Sequence, residues 1–161
     1  MSDPGARPVD FKVVLVTPEI PGNTGTIGRT CVALGLELIL IHPLGFELSE
    51  KSVRRAGLDY WKHVRLAEYP DWPAFLADRA PRRDQLFFFE NWGRQSFYDA
   101  EYPRDAYLVF GHETKGLQGE VTQGFEDRVV HMPMASPHIR SLNLANAVTA
   151  AVYQAGRAFL R

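Results

Sequence analysis

Three short stretches carry polar residues that core packing does not require. Gly22-Asn23-Thr24-Gly25-Thr26-Ile27-Gly28-Arg29-Thr30 follows an apolar run and is rich in glycine. Glycines placed after a strand and ahead of a helix can turn backbone N–H groups toward phosphate. The spacing fits neither common nucleotide template. A P-loop needs four residues between its glycines and then Lys, whereas Gly22 and Gly28 enclose five and Arg29 follows. A dinucleotide fingerprint would need Gly where Asn23 stands. A nucleotide-phosphate loop is thus the least favoured reading, behind a structural turn and a specialised site in which Asn23 and Arg29 have tasks.

The second stretch, Phe110-Gly111-His112-Glu113-Thr114-Lys115-Gly116-Leu117, sets His, Glu and Lys between glycines directly after another apolar run. It reads as a surface turn or as a ligand loop. No His lies three residues beyond Glu113, so His112-Glu113 is not a zincin motif, and His42, His63, His131 and His138 lack ligand spacing. No metal site is expected. The third stretch, Met132 to Ala147, holds Ser141, Asn143 and Asn146 ahead of an apolar helical pattern. Asparagines are poor interior helix residues because their amides compete for backbone partners. In a first turn they serve a loop or a ligand; alternatively Ser141 caps the helix and they face water. Cys31 has no His or Asn arranged around it and reads as a small buried apolar residue rather than a nucleophile.

The elements that would position these stretches follow from periodicity. Phe11 to Thr17, Leu38 to Ile41, Gln85 to Phe89, Ala106 to Phe110 and Arg128 to His131 are apolar runs of strand length, with a weaker one from His63 to Ala67. Helices are expected over Arg29 to Leu34, Ser49 to Ala56, Trp72 to Ala80 with Asp71 as cap, and Gly119 to Gly124. Ser141 to Leu160 is the longest, with Leu144, Val148, Ala151, Val152, Ala155 and Phe159 on helical spacing. Asn91 to Pro103 shows no period and is expected to be loop. Strands alternating with helices predict one α/β domain, a mostly parallel sheet flanked by helices, over residues 11–161 after a flexible tail of residues 1–10. Ligands are then expected at the carboxyl ends of the strands.

The 161 residues suffice for a core without cross-links, and a single cysteine excludes an intramolecular disulfide, which suits a reducing cytoplasm. No run approaches the roughly 18 apolar residues of a membrane span, so no membrane partner is expected. A net charge of −1 argues against coating nucleic acid by bulk charge. It leaves room for a local patch: Glu50 to Arg65 carries Lys51, Arg54, Arg55, Lys62 and Arg65 around Tyr60 and Trp61. Those aromatics could stack on an exposed base or belong to the core, and for Trp61 the two readings weigh equally.

In this order the three stretches resemble the SPOUT superfamily of RNA methyltransferases, specifically its small single-domain branch, the bacterial tRNA (cytidine(34)-2′-O)-methyltransferases, which act on cytidine 34 or 5-carboxymethylaminomethyluridine 34. The resemblance rests on Pro18-Glu19-Ile20-Pro21-x-Asn23-Thr24-Gly25 with Arg29, on Phe110-Gly111-x-Glu113-Thr114-x-Gly116-Leu117, and on Pro133-Met134 with Ser141-Leu142-Asn143-Leu144-x-Asn146-Ala147-Val148. Arg55-Ala56-Gly57-Leu58-Asp59-Tyr60 is also similar to that branch, and the likeness runs from about Phe11 to Arg157.

The resemblance implies the SPOUT fold with a carboxy-terminal deep trefoil knot, a homodimer, and S-adenosylmethionine as cofactor. Carried over by position, cofactor contacts fall on Phe89, Gly111, Met132, Ser141 and Leu142. Gly111 would let the ligand approach the backbone. Arg29 and Asn23 would be catalytic, with Glu113, Asn143 and Asn146 supporting, Arg54, Arg55 and Lys115 on the RNA, and the tRNA anticodon stem-loop as partner. The reaction implied is in-line attack of a ribose 2′-oxygen on the sulfonium methyl group. A guanidinium stays protonated, so Arg29 is read chiefly as the electrostatic stabiliser of the developing alkoxide. Gly28, Lys115 and His112 depart from the branch's usual residues, and Lys115 lacks the bidentate fork of Arg. Two other functions stay open: a knotted RNA-binding protein without catalysis, and a ribosomal RNA 2′-O-methyltransferase of the same superfamily.

Overall fold

The computed structural model describes residues 7–48 and 59–161. Seven strands form one sheet: β1 (Lys12–Val16), β2 (Glu37–Ile41), β3 (Arg65–Tyr69), β4 (Leu86–Phe89), β5 (Gln95–Ser96), β6 (Tyr107–Phe110) and β7 (Val129–His131). Their spatial order is β3-β2-β1-β6-β4-β7-β5, and every pairing between them is parallel. Among the described residues the α-helices are α1 (Pro21–Leu34), α2 (Trp72–Arg79), α3 (Gly119–Thr122) and α4 (Leu144–Ala155).

Side chains alternate across the sheet, and both faces are covered. Val13, Leu15, Leu38, Leu40, Phe87, Phe89, Leu108 and Phe110 pack under Ile27 and Cys31 of α1 and Val148, Ala151 and Val152 of α4. Val14, Val16, Ile39, Ile41, Phe88, Val109 and Val129 pack under Trp72 and Phe75 of α2 and Val121 of α3. A parallel sheet buried on both faces needs no polar alternation, which is why its strands read as unbroken apolar runs. Among the described residues no helix is long and apolar enough to cross a membrane.

The glycine-rich stretch is not a loop. Helix α1 begins at Pro21, where the missing N–H costs nothing in a first turn, and runs to Gly35, whose φ of 67° ends it. Gly22, Gly25 and Gly28 recur every three residues and share one side of the helix. A Cβ at Gly28 would lie 2.6 Å from Trp61 Cζ3, so the absent side chain makes room for the indole. Trp61 thus packs against the core, while the Tyr60 hydroxyl donates to Gly25 O at 3.1 Å.

Asp71 caps α2 as expected, accepting from Ala74 N–H at 2.8 Å. The helix expected from Ser49 to Ala56, with Arg54 and Arg55, lies outside the described residues. The carboxy-terminal helix is shorter than its pattern: Asn143 rather than Ser141 is its cap, and it stops at Gly156. A Cβ at Gly156 would meet Leu160 Cδ1 at 2.4 Å, because the chain folds back there and Leu160 N–H donates to Gly156 O. Val9, in the expected tail, is buried, and Asp10 N–H donates to Arg104 O, so packed chain begins ahead of residue 11.

β7 occupies the slot between β4 and β5, and the aperiodic stretch from Asn91 contributes β5 itself. Phe89 of β4 and Gln95 of β5 both stand opposite Val130, so the link between them crosses the backbone of β7. Gly93 makes that crossing, where a Cβ would sit 2.7 Å from Val129 O.

Gly28→Val is expected to lower unfolding stability by about 1–3 kcal/mol, the usual cost of overpacking. In a Trp61→Leu background the same substitution should cost clearly less; urea denaturation of the four proteins of this cycle measures the coupling.

Candidate active site

Strand β1 lies between β2 on one side and β6 on the other, and the chain leaves these neighbours in opposite directions along the sheet. The carboxyl ends at such a switch point leave a crevice. Here the segment after β1 leads into α1, and the segment after β6 is the His112–Gly116 turn, closed by reciprocal backbone bonds of 3.2 and 2.8 Å.

Glu113 joins the two. Its Oε2 accepts from Glu19 N–H at 2.7 Å and its Oε1 from Ile20 N–H at 3.0 Å. Ile20 is the residue that caps α1, and it has no side-chain oxygen, so the carboxylate of a distant residue serves the helix start instead. Oε1 also faces Asn23 Nδ2 at 3.5 Å. Asn23 Oδ1 in turn accepts from Asn143 Nδ2 at 3.1 Å, and Asn143 Oδ1 accepts from Asn146 N–H at 3.2 Å. Along this series each amide nitrogen faces an acceptor and each amide oxygen a donor, which fixes both amide orientations. The link binds the three polar stretches into one site.

A second carboxylate missed by the sequence reading repeats the device. Glu90, just past β4, accepts from Leu117 N–H, and a Cβ at Gly116 would lie 2.4 Å from its Oε1. Burial raises its pKa above the ordinary glutamate value, opposed by the N–H groups of Leu117 and Asn91. The only sequence signal was its place, a charged residue at the carboxyl end of a fully apolar strand.

Loops after β4, β6 and β7 enclose a cavity of about 650 Å³, within the range of small-molecule sites. Phe89, Gly111, Met132, Ser141 and Leu142 all line it, as do Glu113 and Lys115. Phe89 and Phe110 stack at 4.6 Å between ring centroids, giving the wall an apolar, flat part. Gly111 also has a structural reason: a Cβ there would strike Gly116 C and Leu117 N, so its missing side chain admits the returning loop. Asn23 stands one hydrogen bond behind the cavity through Glu113, and Asn146 serves the cap of α4.

Arg29 is not on the cavity wall. It is exposed on α1, about 9 Å along the axis from Asn23, and its guanidinium carbon lies 5.7 Å from the centre of the Tyr60 ring. Cys31 is fully buried, and burial pushes its thiol up to about 12, which removes it as a nucleophile.

Glu19, His112 and Glu113 bring ligand-type atoms within 4.8 Å of one another. His112 Nδ1, however, faces Thr114 N–H and Lys115 N–H, each at 3.2 Å. The ring proton therefore sits on Nε2, which points to Glu19 Oε2 at 3.4 Å without a lone pair for a cation. The cluster is a hydrogen-bonded clamp.

The sequence matches the profile of the SpoU rRNA Methylase family over residues 10–153. The chain belongs to that family. It is 43% identical over 148 residues to a tRNA (cytidine(34)-2′-O)-methyltransferase of Burkholderia ambifaria, covering 91% of this chain and 94% of that one. A putative enzyme of the same description from Bacillus subtilis is 41% identical, over 92% and 93% of the two chains. A solved structure from work on 2′-OH methylation of C/U34 on tRNA superposes with a TM-score of 0.85 at 46% identity, covering 93% and 96%. The SpoU methyltransferase AviRb of Streptomyces viridochromogenes, in complex with AdoMet, superposes with a TM-score of 0.79 at 30% identity, covering 93% of this chain and 61% of that one.

In this SpoU family chain the Glu113 link is testable by what only a carboxylate can do. Glu113→Ala should lower stability by about 2–3 kcal/mol, since two backbone donors lose a charged acceptor. Glu113→Gln should fail to restore it fully, because its NH2 group would face one of those donors; chemical denaturation reads both. For Glu90, ionisation is easier in the unfolded chain than in the fold. The stability of wild type relative to Glu90→Gln should therefore fall as pH rises from about 4 through the raised pKa, then level off, as denaturation midpoints across pH 4–8 would record.

Proposed function

We propose that the chain transfers a methyl group from S-adenosylmethionine to the ribose 2′-oxygen of nucleotide 34, cytidine or 5-carboxymethylaminomethyluridine, in tRNA. The observation that carries this is the identity of 43% over nearly the whole of both chains to a relative named for that reaction, beside a cavity built by the same three stretches. An rRNA methyltransferase of known structure from Sinorhizobium meliloti is less similar, at 25% identity.

The cavity fits the cofactor in size and in chemistry. Phe89, Met132 and Leu142 offer apolar walls for an adenine, and the backbone around Gly111 and Ser141 offers donors and acceptors to its edge. The cofactor supplies a sulfonium methyl group with a good leaving group, so no metal is required. With the cofactor bound, the ribose oxygen would take the methyl group, S-adenosylhomocysteine would depart, and the hydroxyl proton would pass to water or phosphate. Arg29 holds the developing alkoxide with its fixed positive charge. Asn23 keeps the start of α1 in register with Glu113, and Asn143 and Asn146 brace the loop that carries Ser141 and Leu142. Lys115, exposed at the cavity, takes phosphate, and Arg54 and Arg55, which lie outside the described residues, are the other cations assigned to the anticodon stem-loop by the sequence.

Arg29 stands outside the cavity of its own subunit, which supports a homodimer in which it reaches substrate bound by a second copy. The crossing of β7 supports the knotted carboxy-terminal half that the SPOUT resemblance implies, and the lone buried Cys31 suits a cytoplasmic setting.

Labelled cofactor and unmodified tRNA should give label at nucleotide 34. Arg29→Ala should reduce the rate by about 100-fold or more. Cofactor affinity by calorimetry should stay unchanged, because Arg29 lies off the cavity. An unaltered rate in that variant would overturn its role, and a wild type that binds tRNA yet transfers nothing would favour the non-catalytic reading.

A further inference from the structure

We propose that Trp92 is the platform on which a base of the tRNA substrate stacks, with Lys115 and Arg140 on the same cavity receiving the adjoining phosphates. This rests on the tRNA reading above and adds a residue that no motif contains. Trp92 lines the cavity and is 49% exposed, whereas Trp72 is buried and Trp61 is packed on Gly28.

The turn that carries it is held from several sides. Gly93 N–H donates to Glu90 O at 3.1 Å, and Glu90 N–H donates to Val130 O at 3.1 Å. His131 Nδ1 donates to Gly93 O at 2.7 Å. The close approach of Gly93 to the β7 backbone leaves no slack for the turn to sink inward. Trp92 is the residue just before that anchor, so its indole cannot be drawn under the sheet. A tryptophan kept half in water by a fixed backbone forgoes burial in the free protein and needs no ordering when a flat partner arrives.

The surroundings select the partner. Lys115 and Arg140 are exposed cations on the same cavity, and Arg94, two residues beyond Trp92, is exposed as well. The cavity's carboxylates are occupied: Glu113 by Glu19 and Ile20 N–H, and Glu90 by Leu117 N–H. A flat apolar ring beside cations matches an unstacked base with its phosphate, the form in which single-stranded RNA is read. The deeper wall at Phe89, Phe110 and Met132 remains for the cofactor.

Trp92→Ala should raise KM for tRNA about 5- to 100-fold with a much smaller change in kcat, and Trp92→Phe should recover most of the loss. Cofactor affinity by calorimetry and the thermal midpoint should stay at wild-type values in both. The difference in emission between wild type and Trp92→Phe isolates the Trp92 signal. An anticodon-loop oligonucleotide should quench that signal, and inorganic phosphate at equal ionic strength should not. Quenching by the cofactor alone, a change on simple dilution of the protein, or an unmoved KM in Trp92→Ala would each overturn the inference. The first would assign Trp92 to the cofactor and the second to contact between two copies. A wild type that does not methylate tRNA would instead overturn the function on which the inference rests.

Discussion

The side chain of Asn23 holds this molecule's site together. Its amide donates toward Glu113 and accepts from Asn143, so one planar group ties the start of α1 to the turn after β6 and to the cap of α4. Replacing either partner would leave a nearly buried donor or acceptor unpaired, which costs more than a typical hydrogen bond contributes. The rest of the site hangs on this link. Glu113 can serve both backbone donors at the head of α1 only if that head is where Asn23 places it, and Asn143 can cap α4 only in the orientation that Asn23 accepts. The loops that wall the cavity leave from these fixed points.

Much of this was legible in the residues. Apolar runs at strand length marked six of the seven strands, and the parallel sheet followed from their alternation with helices. Asp71 announced the start of α2 because a cap is a local matter. The cavity residues carried over from the resemblance, Phe89, Gly111, Met132, Ser141 and Leu142, do line one cavity. What was not legible depended on contacts between distant segments. Three glycines between Pro21 and Arg29 argue for a loop by local propensity, and the Trp61 ring lying on Gly28 explains one of them, a contact with a residue far along the chain. Ser141 was one candidate for the cap of the last helix, because a serine ahead of an apolar helical pattern can serve as one. Asn143 wins because its amide has a second bond to make, across to α1.

Glu90 and Trp92 show the same limit from the other side. Neither belongs to a motif, and the stretch after β4 has no periodicity to interpret. Their positions come from the passage of the chain over β7, a constraint that exists only once strands far apart in sequence are neighbours. Gly111 has a requirement that no motif shows: its missing side chain admits the backbone of Gly116 and Leu117.

That passage over β7 also sets an order on assembly. β7 belongs between two strands that are complete well before it is synthesised, since β4 and β5 end at Phe89 and Ser96 and β7 starts at Val129. While the chain is still emerging from the ribosome, the edges of β4 and β5 that will flank β7 have no partner, and exposed strand edges invite unwanted pairing. The bridge from Glu90 to Arg94 must stay lifted until Val129 to His131 have slipped beneath it. The half of this small protein that carries the cavity loops is therefore finished last, by its own late-emerging carboxy-terminal segment.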